Sequence, residues 1–111
     1  MAAVANLRID QGASFSSDVT VTNSEGAVVD LTGYTTEAKM AKSYGADSTV
    51  TITSALASDP TTGVVELTLT DTQTGALDAP ARYVYDVYIT QTSTSTVTRV
   101  IEGVITVNPK V

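Results

Sequence analysis

The run Arg82–Pro109, RYVYDVYITQTSTSTVTRVIEGVITVNP, constrains this chain more than any other segment. Tyr83, Tyr85, Val87 and Ile89 take every second position of its first arm, with Val84, Asp86, Tyr88 and Thr90 between them. A period of two sends alternate side chains to opposite faces of a β-strand, so this arm predicts a strand. Both sets are partly apolar, which predicts a strand deep in a sheet or against a neighbour. The second arm follows a short Ser/Thr loop, and together they predict a long hairpin. In that second arm Val97, Val100 and Ile101 cannot all share a face with Ile105 and Val107 on a regular strand. Gly103 is the expected interruption, with a β-bulge there to re-aim the side chains.

The rest of the chain repeats the theme at shorter range. Extended segments are predicted over Ala3–Ile9, Ser14–Thr22, Ala27–Leu31, Thr49–Leu56 and Val64–Thr70, separated by turn signals such as Asn23–Gly26 and Asp59–Gly63. Tyr34–Tyr44 contains good helix formers in TEAKMAK, yet Thr36, Ala38 and Met40 alternate with Glu37, Lys39 and Ala41. In a β-rich chain that alternation outweighs weak helical preference, and a strand is predicted. Asp71–Leu77 breaks the pattern: its Asp or Thr can cap one helical turn, and Leu77 can plug the core beneath. Thr and Ser supply 30 of the 111 residues, and Thr both favours extended backbone and keeps an outer strand face wet.

Seven or eight short strands with turn signals every eight to twelve residues predict an all-β fold, an immunoglobulin-like antiparallel β-sandwich. A short turn carrying Leu77 and Asp78 leads to Tyr83, the arrangement of a tyrosine corner, in which the hydroxyl bonds back to upstream backbone. A chain of 111 residues is read as one domain, 1–111, with residues 1–9 as an extended N-terminal arm.

Several chemistries lack their residues. There is no cysteine and no histidine, which removes thiol chemistry, the commonest general base and the commonest zinc ligand. No Gly-x-Ser-x-Gly elbow occurs, and Lys42-Ser43 would point to opposite strand faces. Most acids sit in turns, where Asp supports the bend. Asp59, Asp71 and Asp78 could converge on calcium, but no D-x-D-x-D-G spacing exists. No enzyme activity, cofactor or metal site is predicted. The net charge is −6, with Arg8, Lys39, Lys42, Arg82, Arg99 and Lys110 scattered, so no nucleic-acid partner is expected. No apolar run approaches ~20 residues, and MAAVANLRID lacks the pattern of a secretory signal, so neither membrane insertion nor general export is expected.

Asp86, Arg99 and Glu102 are charged positions inside otherwise apolar strands. With a turn at Thr92–Ser93, Asp86 and Arg99 would face each other and help fix register. Tyr88, Arg99 and Glu102 on the hairpin, and Leu7, Arg8 and Ile9 on the arm, are the candidate contact residues. An extended apolar terminus can add a strand to a neighbour's edge. Tyr83, Asp86 and Gly103 are the candidate structural residues.

LRIDQGASFS (Leu7–Ser16), VDLTGYTTEAKMAKSY (Val29–Tyr44), TGVVELTLTDTQTGAL (Thr62–Leu77) and RYVYDVYIT…VTRVIEGVITVNPKV resemble small immunoglobulin-like modules of tailed-phage virions. The chain is similar to the N-terminal module of phage upper-baseplate proteins and to short virion proteins of marine and freshwater phages. DLTGY, the T-x-x-Q-T turn and YVYD…VTRVIEG carry the resemblance most specifically. It implies a non-enzymatic virion structural protein, assembled in the host cytoplasm and partnered by other virion proteins in symmetric multicopy contacts. With no fibrous extension after the module, a tail or baseplate accessory subunit is expected. A capsid decoration or cement protein is the alternative, and a glycan-binding module with Tyr44 stacked on a sugar is the second.

Overall fold

Tyr83, Tyr85, Val87 and Ile89 all point into a buried core in the computed structural model, which describes residues 3–23, 25–46 and 49–110. Eight strands are formed among them: β1 (Ala3–Val4), β2 (Leu7–Asp10), β3 (Phe15–Thr20), β4 (Tyr34–Ala41), β5 (Val50–Leu56), β6 (Val64–Leu69), β7 (Ala81–Gln91) and β8 (Thr96–Asn108). One helical turn, α1 (Asp71–Gly75), joins β6 to β7. The fold is an all-β sandwich with barrel-like continuity, its strands ordered β1-β8-β7-β4-β5-β6-β3 and β2 also lying on β8. Thr36–Ala41 of TEAKMAK is strand, as its alternation predicts, with Ala38 and Met40 buried and Glu37 and Lys39 exposed; Lys42–Tyr44, expected in the same strand, form the bend that follows it.

The two layers share β5. Val50–Ile52 pair with β4, and Thr53–Leu56 pair with β6. Where β5 leaves β4, the hydroxyls of Thr36 and Ser54 meet at 2.9 Å. The segment Ala27–Leu31, expected as a strand, forms an isolated bridge between Val28 and Thr22 instead, with Val29 N donating to Val21 O and Leu31, fully buried, donating through its N to Pro60 O. Of the turns expected around it, Ser24 lies outside the described residues, as do Asp47 and Ser48 of the next.

α1 is short and depends on its cap. Thr70 Oγ1 accepts from Gln73 N while Gln73 Oε1 accepts from Thr70 N, so two otherwise free amides are satisfied. Buried Thr74 donates to Ala13 O at 2.8 Å and accepts from Gly12 N, tying this turn to the β2–β3 connection. Leu77 lies in the core just after it. Asp78 N then donates to the Tyr83 hydroxyl at 3.0 Å, which is tyrosine-corner geometry, and the Asp78 carboxylate pairs with Lys42.

The N-terminal segment is not a free arm. β1 and β2 pair in parallel with β8, an exception to the antiparallel pattern, with Ala3 opposite Ile101 and Leu7 opposite Ile105. Between them the ladder is kept by Ala5 N donating to Glu102 O and by Asn6 Oδ1 accepting from Val104 N. Ile9, expected as a contact residue, is 1% exposed and belongs to the core. Its burial follows from the same alternation that leaves Arg8 exposed. Met1 and Ala2 of the expected arm lie outside the described residues.

Gly103 also differs from expectation. It sits in regular register opposite Tyr85, and the irregularity falls earlier: Val87 pairs with Ile101 but Tyr88 with Arg99, leaving Val100 as the extra residue. Gly103 is needed for close approach. A Cβ there would lie 2.1 Å from Ala5 O and 3.1 Å from the Tyr85 ring. With no side chain in the way, the Tyr85 hydroxyl reaches past β8 to donate to Ala5 O at 2.5 Å. Burial pushes this phenol up to about 12, so it stays protonated and a donor at ordinary pH.

Gly103→Ala should therefore lift the N-terminal strand from β8, costing about 1–3 kcal/mol. In hydrogen exchange, the Ala5 and Val104 amides should lose protection before the β4–β7 amides do, and unchanged protection would refute the close-approach account. Tyr83→Phe should cost about 1 kcal/mol in urea unfolding by stranding the Asp78 amide. A stability equal to the parent would show that the corner bond contributes nothing.

Candidate functional site

A bulge reverses the parity of a strand, and here it builds the site. In β8, Ile101, Gly103, Ile105 and Val107 face the core, so on a regular strand Arg99 would face it too. The extra residue at Val100 turns Arg99 to the outer face opposite Tyr88, and Val97 with it, opposite Thr90. Val97 is 60% exposed there. Arg99 and Glu102, three apart, share a face for the same reason. The turn is Thr92–Ser95 rather than the two residues first expected, and together with the extra residue at Val100 it sets Asp86 opposite Glu102 and diagonal to Arg99.

Two carboxylates directly opposite repel. Arg99 offsets this by lying near both: Nη1 is 3.2 Å from Glu102 Oε2, and Nε is 3.7 Å from Asp86 Oδ2. The second contact is too long for a hydrogen bond, and Arg99 Nε has no hydrogen-bond partner among the described residues. Each of the three side chains keeps roughly a quarter to a third of its surface in water. At that exposure such pairs contribute about 0.2–1 kcal/mol, enough to choose a register but not to hold a fold. Burial pushes the Asp86 carboxyl above the usual Asp value; Arg99 opposes this, while Glu37 and Glu102 add to it.

A second layer covers the cluster. After β4 the chain bends back over the sheet, and the Tyr44 ring lies 5.3 Å from the Arg99 guanidinium, two strands away from its own. This is cation–π distance. Beneath the bend is a recess of about 250 Å³ between Ser43–Ala46 and the outer face of β4 and β7. Cross-strand pairing sets out its floor in rows: Ala41 beside Val84, Lys39 beside Asp86, Glu37 beside Tyr88. Lys39 and Glu37 are 3.4 Å apart.

The structure brings Asp86, Tyr88, Arg99 and Glu102 together on one face. Leu7, Arg8 and Ile9 lie apart from them on β2, beyond the far side of β8, with Leu7 half-buried against the core and Arg8 exposed. The acids weighed for calcium have local tasks. Asp59 accepts from Thr61 N, Asp71 from Thr72 N, and Asp78 holds Lys42. Among the described residues no three His, Cys, Asp or Glu side chains are grouped to hold a metal ion. Sequence reasoning missed the Tyr44–Arg99 contact and the recess. The one available signal was an aromatic beside a glycine turn, which says nothing of what the ring will reach.

For an acid, a raised folded-state value means that the native state binds its proton more tightly than the unfolded chain does. The cost of ionising Asp86 is present above its native midpoint and is relieved as pH falls through that midpoint. NMR titration should place the Asp86 carboxyl above the ordinary 3.8, and Arg99→Ala should raise it further. A midpoint at or below 3.8 would contradict the burial argument. Compared with known proteins, the chain matches no family model, and no curated protein matches it.

Proposed function

We propose that this chain is a non-enzymatic structural subunit of a tailed-phage virion, a tail or baseplate accessory protein acting through protein–protein contact on the outer face of β7 and β8. The observation that supports this most is the arrangement of Tyr88, Arg99, Glu102 and exposed Val97 on that face. Tyrosine and arginine are the residue types over-represented among energetic anchors of protein interfaces. Here they stand on a rigid hairpin, and Arg99 is oriented by Asp86, Glu102 and Tyr44 before any partner arrives. Such pre-organisation lowers the ordering cost of association. A body 44 × 29 × 24 Å has a broad face ample for the ~800 Å² that each partner of a standard interface contributes. Repetition in a symmetric particle multiplies modest contacts into firm attachment. The resemblance of the DLTGY and YVYD…VTRVIEG segments to tailed-phage modules gives the reading its setting.

N-terminal strand donation is not part of this proposal, because β1 and β2 are already paired to β8. Arg99→Ala and Tyr88→Ala should each reduce incorporation into particles at least about tenfold, with melting temperature changed by only a few degrees. Normal incorporation of both variants would overturn the proposed contact face. Gold-labelled protein seen by electron microscopy on the tail would support the accessory-subunit reading. Label confined to the capsid would replace it with a decoration role.

A further inference from the structure

We infer that the recess beneath the Tyr44 bend is a binding site for one residue of a neutral sugar, an activity different from the proposed virion contact although Tyr88 borders both. The recess combines apolar and polar surface on adjacent rows of the sheet. One apolar row of the floor, Ala41 beside Val84, adjoins two rows that carry Lys39, Asp86, Glu37 and Tyr88, and Ser43 lies on the bend above. Its volume of about 250 Å³ falls below the ~300–1,000 Å³ of pockets that hold drug-sized ligands, so it suits one small ring. Tyr44 and Tyr88 border it. Tyr44 remains 58% exposed although its ring is positioned over Arg99. A tyrosine has only two side-chain torsions to fix, so it costs little ordering entropy when the C–H face of a pyranose packs on it.

The polar groups select the ligand class. Asp86 and Glu37 can accept from vicinal hydroxyls, and Lys39 and Ser43 can donate to ring or hydroxyl oxygens. An anionic ligand would meet two carboxylates in a chain of net charge −6. A cationic one would displace Lys39 or compete with Arg99, which already occupies the Asp86–Glu102 pair. A neutral polyhydroxylated ring satisfies both sets without leaving a charge unpaired.

The test is titration of the ¹⁵N-labelled chain, followed by amide NMR. The probes are methyl glycosides of glucose, galactose, mannose and N-acetylglucosamine, with methyl glucuronate and choline as charged probes. At least one neutral glycoside should shift the Tyr44, Ala46 and Asp86 amides saturably with millimolar affinity. Tyr44→Ala should weaken that binding at least about tenfold, equivalent to ~1.4 kcal/mol, while keeping a dispersed spectrum. Asp86→Asn should weaken it too, and Tyr88→Ala serves as the second aromatic variant if Tyr44→Ala loses its fold. Tighter binding of a neutral oligosaccharide than of its methyl glycoside would identify a glycan chain as the source; equal binding would identify the free sugar. No response to any neutral glycoside, response only to a charged probe, or undiminished binding by Tyr44→Ala would each overturn the inference. Particle incorporation is not the readout, so either proposal can fail without the other.

Discussion

One extra residue in β8 decides what this protein shows to its surroundings. Without Val100 as a bulge, Arg99 would point between the sheets, where an unpaired guanidinium costs several kcal/mol. With it, the inward row Ile101, Gly103, Ile105 and Val107 stays apolar, and the outward row becomes Val97, Arg99 and Glu102. The same strand thus serves the core along its C-terminal part and a surface along its N-terminal part. The ion cluster and the Tyr44 contact depend on that reversal.

The other half of β8 is governed by Gly103. There the absent side chain lets three layers meet: the Tyr85 ring, the β8 backbone and the Ala5 carbonyl. The crossing turns the N-terminal segment into a sheet strand, and through it Ile9 becomes part of the core. Parallel pairing with the last strand also covers the edge of β8 from Ile101 to Asn108, a row of amides and carbonyls that would otherwise stand open to unplanned pairing. β5 works at the opposite side of the molecule by changing partners midway, which joins the two layers without a separate connecting element.

Stability and exposed chemistry are therefore divided between the ends of one hairpin. The tyrosine corner, the capped α1 turn and the Gly103 crossing hold its start and finish. The polar outer face lies nearer the Thr92–Ser95 turn, where weakly coupled charges contribute little to folding and are free to serve recognition. That division allows the surface residues to vary with modest effect on the core.

Alternation and cap chemistry were enough to read the all-β fold, the strand nature of most of Tyr34–Tyr44, the inward set of β7 and the capped turn before Leu77, because both are local properties. Local logic also showed that β8 could not be regular, since Val97, Val100 and Ile101 break parity. It misplaced the break at Gly103, because whether a glycine marks a bulge or a close crossing depends on a partner nearly a hundred residues away. The docked N-terminal strand, the four-residue turn and Val100 bulge that together set Asp86 against Glu102, and the reach of Tyr44 to Arg99 were settled only in three dimensions. Each depends on which strands become neighbours, and strand neighbourhood is set by the sum of core packing rather than by any short stretch of residues.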